Sequence, residues 1–259
     1  MSNLYAAINA VKTSPLMRWP RQWSYEIRSL LAREPMLWPL YQPYIWWDQY
    51  NITARGIAEA RERVVGAHTE ILIDGYPGSA NSFATAAFQF SQPERVELAH
   101  HLHSPVQIIQ AVKRGVPTIV TLRDPRGATL SLTSRWPHVA VAQGLRNYIR
   151  FYNKIKPYAD GCVLSTFERT TRHFDEVVEE VNQRFGTHFA IFEPTEANLT
   201  AVRRPEKFQT EAWKQRQARK KQKAEDFKTA RCQKLLARAE AVHEAFLTLA
   251  TSPSTNVGR

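Results

Sequence analysis

The folding options of this chain narrow most at residues 71–83. Ile71-Leu72-Ile73 is an apolar, β-favouring run that stops at Asp74-Gly75-Tyr76-Pro77-Gly78-Ser79-Ala80-Asn81-Ser82, and a helix-compatible segment, Phe83 to Phe90, follows at once. Strand, tight turn and helix in that order bring a helix N-terminus to the end of a strand. Unpaired backbone N–H groups and the helix dipole make such an end a holder of anions. Small side chains matter because they let an anion's oxygens reach the amides. The stretch reads as a phosphate cradle, against the plainer alternative of an ordinary strand-to-helix turn. It is not a G-x-x-x-x-G-K-[ST] loop, because it has no lysine.

The alternation continues downstream. Arg95 to His100 reads as a second strand, Val106 to Lys113 as a helix, Thr118 to Leu122 as a third strand and Gly161 to Ser165 as a fourth. Helical patterns cover Val139 to Lys156 and Arg169 to Phe185. Such a succession predicts an α/β fold with a central, mostly parallel sheet flanked by helices, whose ligands gather at the carboxyl ends of the strands. The 259 residues suffice for one domain of this kind. Residues 1–66 read as an aromatic and proline-rich cover, 67–192 as a nucleotide-binding core and 193–259 as basic C-terminal helices.

In the cover, helices are expected at Leu4 to Lys12 and Tyr25 to Arg33, with prolines breaking them, and helical spacing returns at Ala54 to Ala67. Five of the seven tryptophans (Trp19, Trp23, Trp38, Trp46 and Trp47) fall here. They suit an acceptor pocket, a lipid interface or plain packing onto the core. Phe192 to Thr210 reads as irregular, Glu211 to Leu249 as one or two long helices and Ser252 to Arg259 as a frayed tail.

After the third strand comes Arg123-Asp124-Pro125-Arg126-Gly127-Ala128-Thr129-Leu130-Ser131. Asp124 is a good N-cap and Pro125 suits the first helical position, so Ser131 falls nearly two turns inside a helix. Arg123 and Ser131 can then address one phosphate; alternatively Arg123 pairs with a carboxylate and Ser131 with its own helix backbone. The balance of charge fits an anionic partner: 35 Lys and Arg against 24 Asp and Glu give +11. Two cysteines, Cys162 and Cys232, make neither a disulfide framework nor a metal cluster, and Cys162 reads as a small buried hydrophobe. No apolar run approaches ~20 residues and Met1 to Thr13 lacks a secretory pattern, so a cytoplasmic location is expected.

Together these stretches resemble the sulfotransferase family that uses 3′-phosphoadenylyl sulfate (PAPS). Pro77, Gly78, Ser79, Ala80, Asn81, Ser82 and Phe83, after Tyr76, resemble its Y-P-[KR]-S-G-[TN]-[ST]-[WF] loop, with Gly78 in place of the basic residue and Ala80 in place of the second glycine. Arg123, Pro125 and Ser131 match R-x-P-x-x-x-x-x-S. The likeness runs from about Ile71 to Phe189. It implies a P-loop NTPase-like architecture and transfer of a sulfuryl group from PAPS to a hydroxyl or amine, leaving adenosine 3′,5′-bisphosphate. In the family the loop holds the 5′-phosphosulfate end, and the Arg and Ser hold the 3′-phosphate. Late basic residues close over that phosphate, which makes Arg203, Arg204, Arg216 and Lys220 candidates, against the plainer reading of a solvated helix face. His103-Ser104-Pro105 matches the H-x-P context of the family's base, with His101 as competitor, against surface imidazoles or a metal site, the latter disfavoured because no carboxylate or cysteine lies at ligand spacing. An arginine from elsewhere, Arg126 or Arg204, would have to replace the loop lysine. Glu168, after Phe167, suits a structural pairing with backbone or an arginine.

The resemblance requires no metal. The acceptor is a small molecule, carbohydrate or lipid, nucleic acid is disfavoured, and the aromatic N-terminus allows peripheral membrane contact. Rival readings are a non-catalytic nucleotide or nucleic-acid binding module, a family member that binds donor without turnover, and a phosphoryl-transfer enzyme with Asp74 on Mg²⁺.

Overall fold

Each strand alternates two apolar sets, and the structure, a computed structural model, uses one set on each face of the sheet. It describes residues 18–53, 63–203 and 209–251. The order is α1 (Arg18–Leu31), a 3₁₀ turn (Pro35–Leu37), α2 (Trp38–Thr53), β1 (Ile71–Gly75), α3 (Asn81–Ser91), β2 (Leu98–His100), α4 (Pro105–Lys113) and β3 (Thr118–Leu122). There follow α5 (Pro125–Arg135), α6 (Val141–Ile155), β4 (Val163–Thr166), α7 (Phe167–Arg172), α8 (Phe174–Phe185), α9 (Glu196–Arg203), α10 (Glu211–Glu225) and α11 (Ala230–Thr251). The four strands are all parallel, in the order β2-β1-β3-β4.

Leu72, Val120, Leu122 and Leu164 pack with the apolar faces of α4, α6 and α11. Ile71, Ile73, Ile119 and Val163 pack on the other face with α3 and α8. Burial on both faces explains why the strands read as apolar runs. A third cluster joins Ala32, Trp38, Tyr41 and Ile45 to Val106, seating the α1–α2 hairpin on α4. The carbonyl of Ala32 accepts bonds from the Ser104 hydroxyl and from the Val106 N–H, fixing that seat.

Several local expectations are corrected. Helix α2 runs through Pro39 and Pro43, which were expected to break it. Pro39 falls in the first turn, where no intrahelical N–H is needed, and burial of Trp38, Tyr41 and Ile45 outweighs the single bond Pro43 gives up. The second strand is only Leu98–His100. The segment Arg169 to Phe185 is two helices, interrupted at His173. Thr195, whose hydroxyl accepts from Asn198 N–H, starts α9 inside a stretch read as irregular. The expected helix at Leu4 to Lys12, most of Ala54 to Ala67, the Trp19 side chain, Arg204 and the tail from Ser252 lie outside the described residues. Among the described residues no helix is long and apolar enough to cross a membrane.

Candidate functional site

From β1 the chain crosses to β2 on one side and then returns to β3 on the other. The topological switch point therefore lies between the carboxyl ends of β1 and β3, the position where open α/β sheets form their ligand crevice. The turn after β1 and the arginine after β3 both emerge there.

The turn is shaped by close approach. A Cβ at Gly75 would lie 2.5 Å from the Thr121 carbonyl oxygen, and one at Gly78, whose φ is +90°, would lie 2.7 Å from Ser131 Cβ. Ala80 also has positive φ, 74°, at the N-cap of α3, and no side chain caps that helix. Phe83 N–H donates to Ala80 O at 2.9 Å, which leaves the Asn81 and Ser82 amides of the first turn without a partner in the helix or from a cap. The loop side chains have mostly structural roles. Asn81, expected to hold the anion, is buried; its Nδ2 donates to Tyr76 O at 3.2 Å and its Oδ1 accepts from Thr121 Oγ1 at 2.6 Å. Ser79 is fully buried, with its hydroxyl beside the Tyr152 phenol. Phe83 packs edge-on against Phe174 and Phe192. What Gly78, Ala80, Asn81 and Ser82 offer the crevice is backbone, with the Ser82 side chain exposed at its edge.

On the β3 side the helix begins as expected, Asp124 accepting from Gly127 N–H at 2.6 Å. Arg123 Nη1 donates to Gly78 O at 2.9 Å, and the guanidinium lies 4.1 Å from the centroid of the Phe167 ring. Its Nε sits 3.7 Å from Asp124 and makes no hydrogen bond. Ser131 Oγ, against Gly78, accepts from Arg216 Nη2 at 3.1 Å, and Arg219 Nε donates to Ser134 O at 3.0 Å. Basic helix α10 thus lies along α5. Burial lowers the pKa of Arg123, Arg216 and Lys220, and like-charge neighbours push Arg216 and Lys220 further down. Cations gathered against mutual repulsion favour an anion. Arg203 is not part of this group; it lies 5.8 Å from the Phe83 ring centroid and donates to Thr171 O. Arg126 is exposed and lies 5.1 Å from the Phe227 centroid, so it does not take the place of a loop lysine. Glu168 pairs with Arg172 at 3.0 Å.

Behind the crevice, tyrosines of α6 hold the end of β3: Tyr148 Oη donates to Arg123 O at 2.7 Å and Tyr152 Oη to Thr121 O at 3.1 Å. Tyr76 Oη in turn donates to Gly144 O at 2.8 Å.

Beside the crevice lies a cavity of about 420 Å³ between the α1–α2 hairpin and the core. Pro77, His101 and His103 form one wall, and Tyr25, Tyr41, Tyr44 and Trp136 line others. The tryptophans of the hairpin do not line it: Trp38 is buried, and Trp23, Trp46 and Trp47 are exposed on the surface.

His101 and His103 have positive φ, 57° and 51°. With Ala80 they are the described non-glycine residues in the left-handed region, and all three border this site, where such strain collects. His103 Nδ1 is 2.9 Å from Gly75 O and 3.2 Å from Asp74 Oδ1, while His103 N–H donates to Asp74 Oδ2 at 2.8 Å. A proton on Nδ1 satisfies two acceptors; a bare Nδ1 would have only Asn81 Nδ2, at 3.4 Å. That tautomer leaves Nε2 as the unprotonated nitrogen. His101 has both nitrogens engaged, with Ser82 Oγ at 3.0 Å and His100 Nδ1 at 2.6 Å. Burial first, then neighbouring positive groups, push it down to about 2. It is a poor proton acceptor, so His103 is the better placed base. Asp74 is the residue sequence reasoning passed over in this role. Its position at the end of β1, with a histidine on the next strand's exit, was the available signal.

Comparisons with protein-family models, with curated proteins and with solved structures give no match.

Proposed function

We propose that the chain is a PAPS-dependent sulfotransferase, acting on a hydroxyl- or amine-bearing acceptor. The observation that carries this reading is the 2.9 Å contact between Arg123 and Gly78, with Ser131 packed on the same glycine. It brings the turn after β1 and the start of α5 together at one switch point, with Arg216 and Lys220 beside them and Asp124 the carboxylate near Arg123 and Lys220.

The fit is to a ligand with two separated anionic ends. The amides of Gly78, Ala80, Asn81 and Ser82 would hold the 5′ end, and Arg123, Ser131, Arg216 and Lys220 the 3′-phosphate. PAPS supplies the sulfuryl group and a leaving phosphate oxygen. His103 Nε2 takes the acceptor's proton, while Gly75 O and the Asp74 carboxylate fix the Nδ1 proton and favour the imidazolium that results. No metal enters this reading.

Thermal shift against adenosine 3′,5′-bisphosphate and adenosine 5′-phosphate tests it. The bisphosphate should raise Tm by roughly 5–10 °C at a hundredfold excess over Kd. The monophosphate should do far less, and Arg123→Ala should erase the difference. Equal shifts for the two nucleotides would remove the reading.

A further inference from the structure

The cavity beside His103 carries a charge that its own walls do not neutralise. Four guanidinium groups, Arg28, Arg33, Arg63 and Arg135, line it against one carboxylate, Asp48. Two of the four are paired: Arg63 with Asp48 at 3.0 Å and Arg33 with Glu34 at 2.8 Å. Arg28 has only neutral partners, the Tyr44 hydroxyl at 2.7 Å and the Ser24 carbonyl of its own helix. The one carboxylate of α1, Glu26, is engaged by Arg146 and Arg150. Arg135 makes no hydrogen bond or ion pair among the described residues and is solvent-accessible, so its five donors are available to a ligand.

Aromatic rings line much of the rest, beside aliphatic and polar side chains such as Ile45 and Asn147. Tyr41 and Tyr44 stack at 5.3 Å, and Tyr25 and Trp136 meet at 6.1 Å. A guanidinium beside an aromatic face, as Arg28 lies 5.2 Å from the Tyr44 ring centroid, is suited to a planar, negatively charged group, because it offers parallel donors. We infer that the acceptor is an anionic molecule: an aromatic or apolar body bearing a carboxylate, sulfate or phosphate that Arg135 and Arg28 engage, with its reactive hydroxyl turned to His103. The acceptor role rests on the sulfotransferase reading, whereas the preference of the cavity for an anion does not.

The test uses the full chain and two fluorescent probes that differ in charge and little else, 6-hydroxy-2-naphthoate and its neutral carboxamide. Binding of each is measured by calorimetry, with and without adenosine 3′,5′-bisphosphate. The carboxylate should bind about tenfold tighter or better, the worth of one charge-assisted contact. Arg135→Gln should shrink that preference, Arg135→Lys should retain most of it, and Arg28→Gln should shrink it independently; melting curves check that each variant is folded. A carboxylate preference in a protein indifferent to the bisphosphate supports the anionic cavity and removes the sulfotransferase reading. Equal affinities, no binding of either probe, or a preference that survives both glutamine variants overturns the inference, even where the bisphosphate binds well.

Discussion

The crevice between β1 and β3 and the cavity beneath the α1–α2 hairpin adjoin at Pro77, yet they are built by different means. The crevice is made of backbone: two glycines admitted by close approach, a helix N-terminus without a cap, and arginines drawn in from α10. The cavity is made of side chains from α1, α2, the β2–α4 connection, α5 and α6. A backbone cradle can hold a constant ligand part, because its geometry is fixed by turns. A side-chain cavity sets what else is admitted, because its chemistry changes with each residue. The two should therefore fail in different ways when altered.

The sharpest way to break that division is His103→Ala. Removing a positioned general base costs about 10²–10⁴-fold in rate. Transfer to any acceptor should fall by that much, while the thermal shift with adenosine 3′,5′-bisphosphate stays near the parent's. Asp74→Asn should lower the rate less and displace the pH–rate profile, since it acts through His103. An unchanged rate in His103→Ala would remove the histidine from the chemistry and leave the crevice untouched.

Arg123→Ala attacks the other side. One charge-assisted contact of this kind is worth about 1.5–3 kcal/mol, so bisphosphate affinity should drop about tenfold to a hundredfold. The charge preference of the cavity should persist. If both ligands weaken together, the two regions are a single site and the comparison fails.

Gly78→Ala comes next, and its effect is on folding as well as binding. The new methyl would meet Ser131 Cβ at 2.7 Å in a backbone with φ +90°. Strain and overpacking together should cost about 2–3 kcal/mol, read by urea denaturation. A variant as stable as the parent would show that the turn and α5 separate freely, and the close juxtaposition of the loop with Ser131 would lose its significance.

How much of this was legible follows from the same division. The strand, turn and helix at 71–91, the Asp124 cap and the Arg123–Ser131 spacing are local patterns, and their positions in the fold agree with the sequence. Parallel strands were legible because both faces are buried and the runs stay apolar. Strand order was not, since nothing in Leu98 to His100 says which edge it takes. Asn81, Ser79 and Phe83 looked like ligand-facing loop residues, but only the tertiary contacts with Thr121, Tyr152 and Phe174 show them facing inward. The cavity was least legible: Arg28, Arg63 and Arg135 are scattered over more than a hundred residues, and no local pattern connects them. The tyrosines that line it were overlooked because tryptophans dominate the same segment.

The smallest effect also separates the regions, through pH. His100 is buried under the cavity wall, with Nδ1 on His101 and Nε2 without a partner. Burial, with Arg63 and His103 adding to it, pushes His100 down to about 4. In the unfolded chain a histidine titrates near 6.5, so below that pH the unfolded state binds the extra proton and the folded state does not. Stability from this group is complete above about 6.5 and is lost as pH falls toward about 4, by about 2 kcal/mol at pH 5. His101 adds loss in the same direction, because burial and its neighbours hold it down to about 2. Urea unfolding at pH 7.5 and pH 5 should therefore show His100→Gln losing about 2 kcal/mol less than the parent, while Ser131→Ala loses as much as the parent does. Carboxylates titrate alike in all three proteins and cancel in the comparison. Parallel losses for His100→Gln and the parent would mean that the imidazole reaches water or a partner as readily as in the unfolded chain. The wall of His101 and His103, with His100 beneath it, would then be looser than the geometry of the cavity requires.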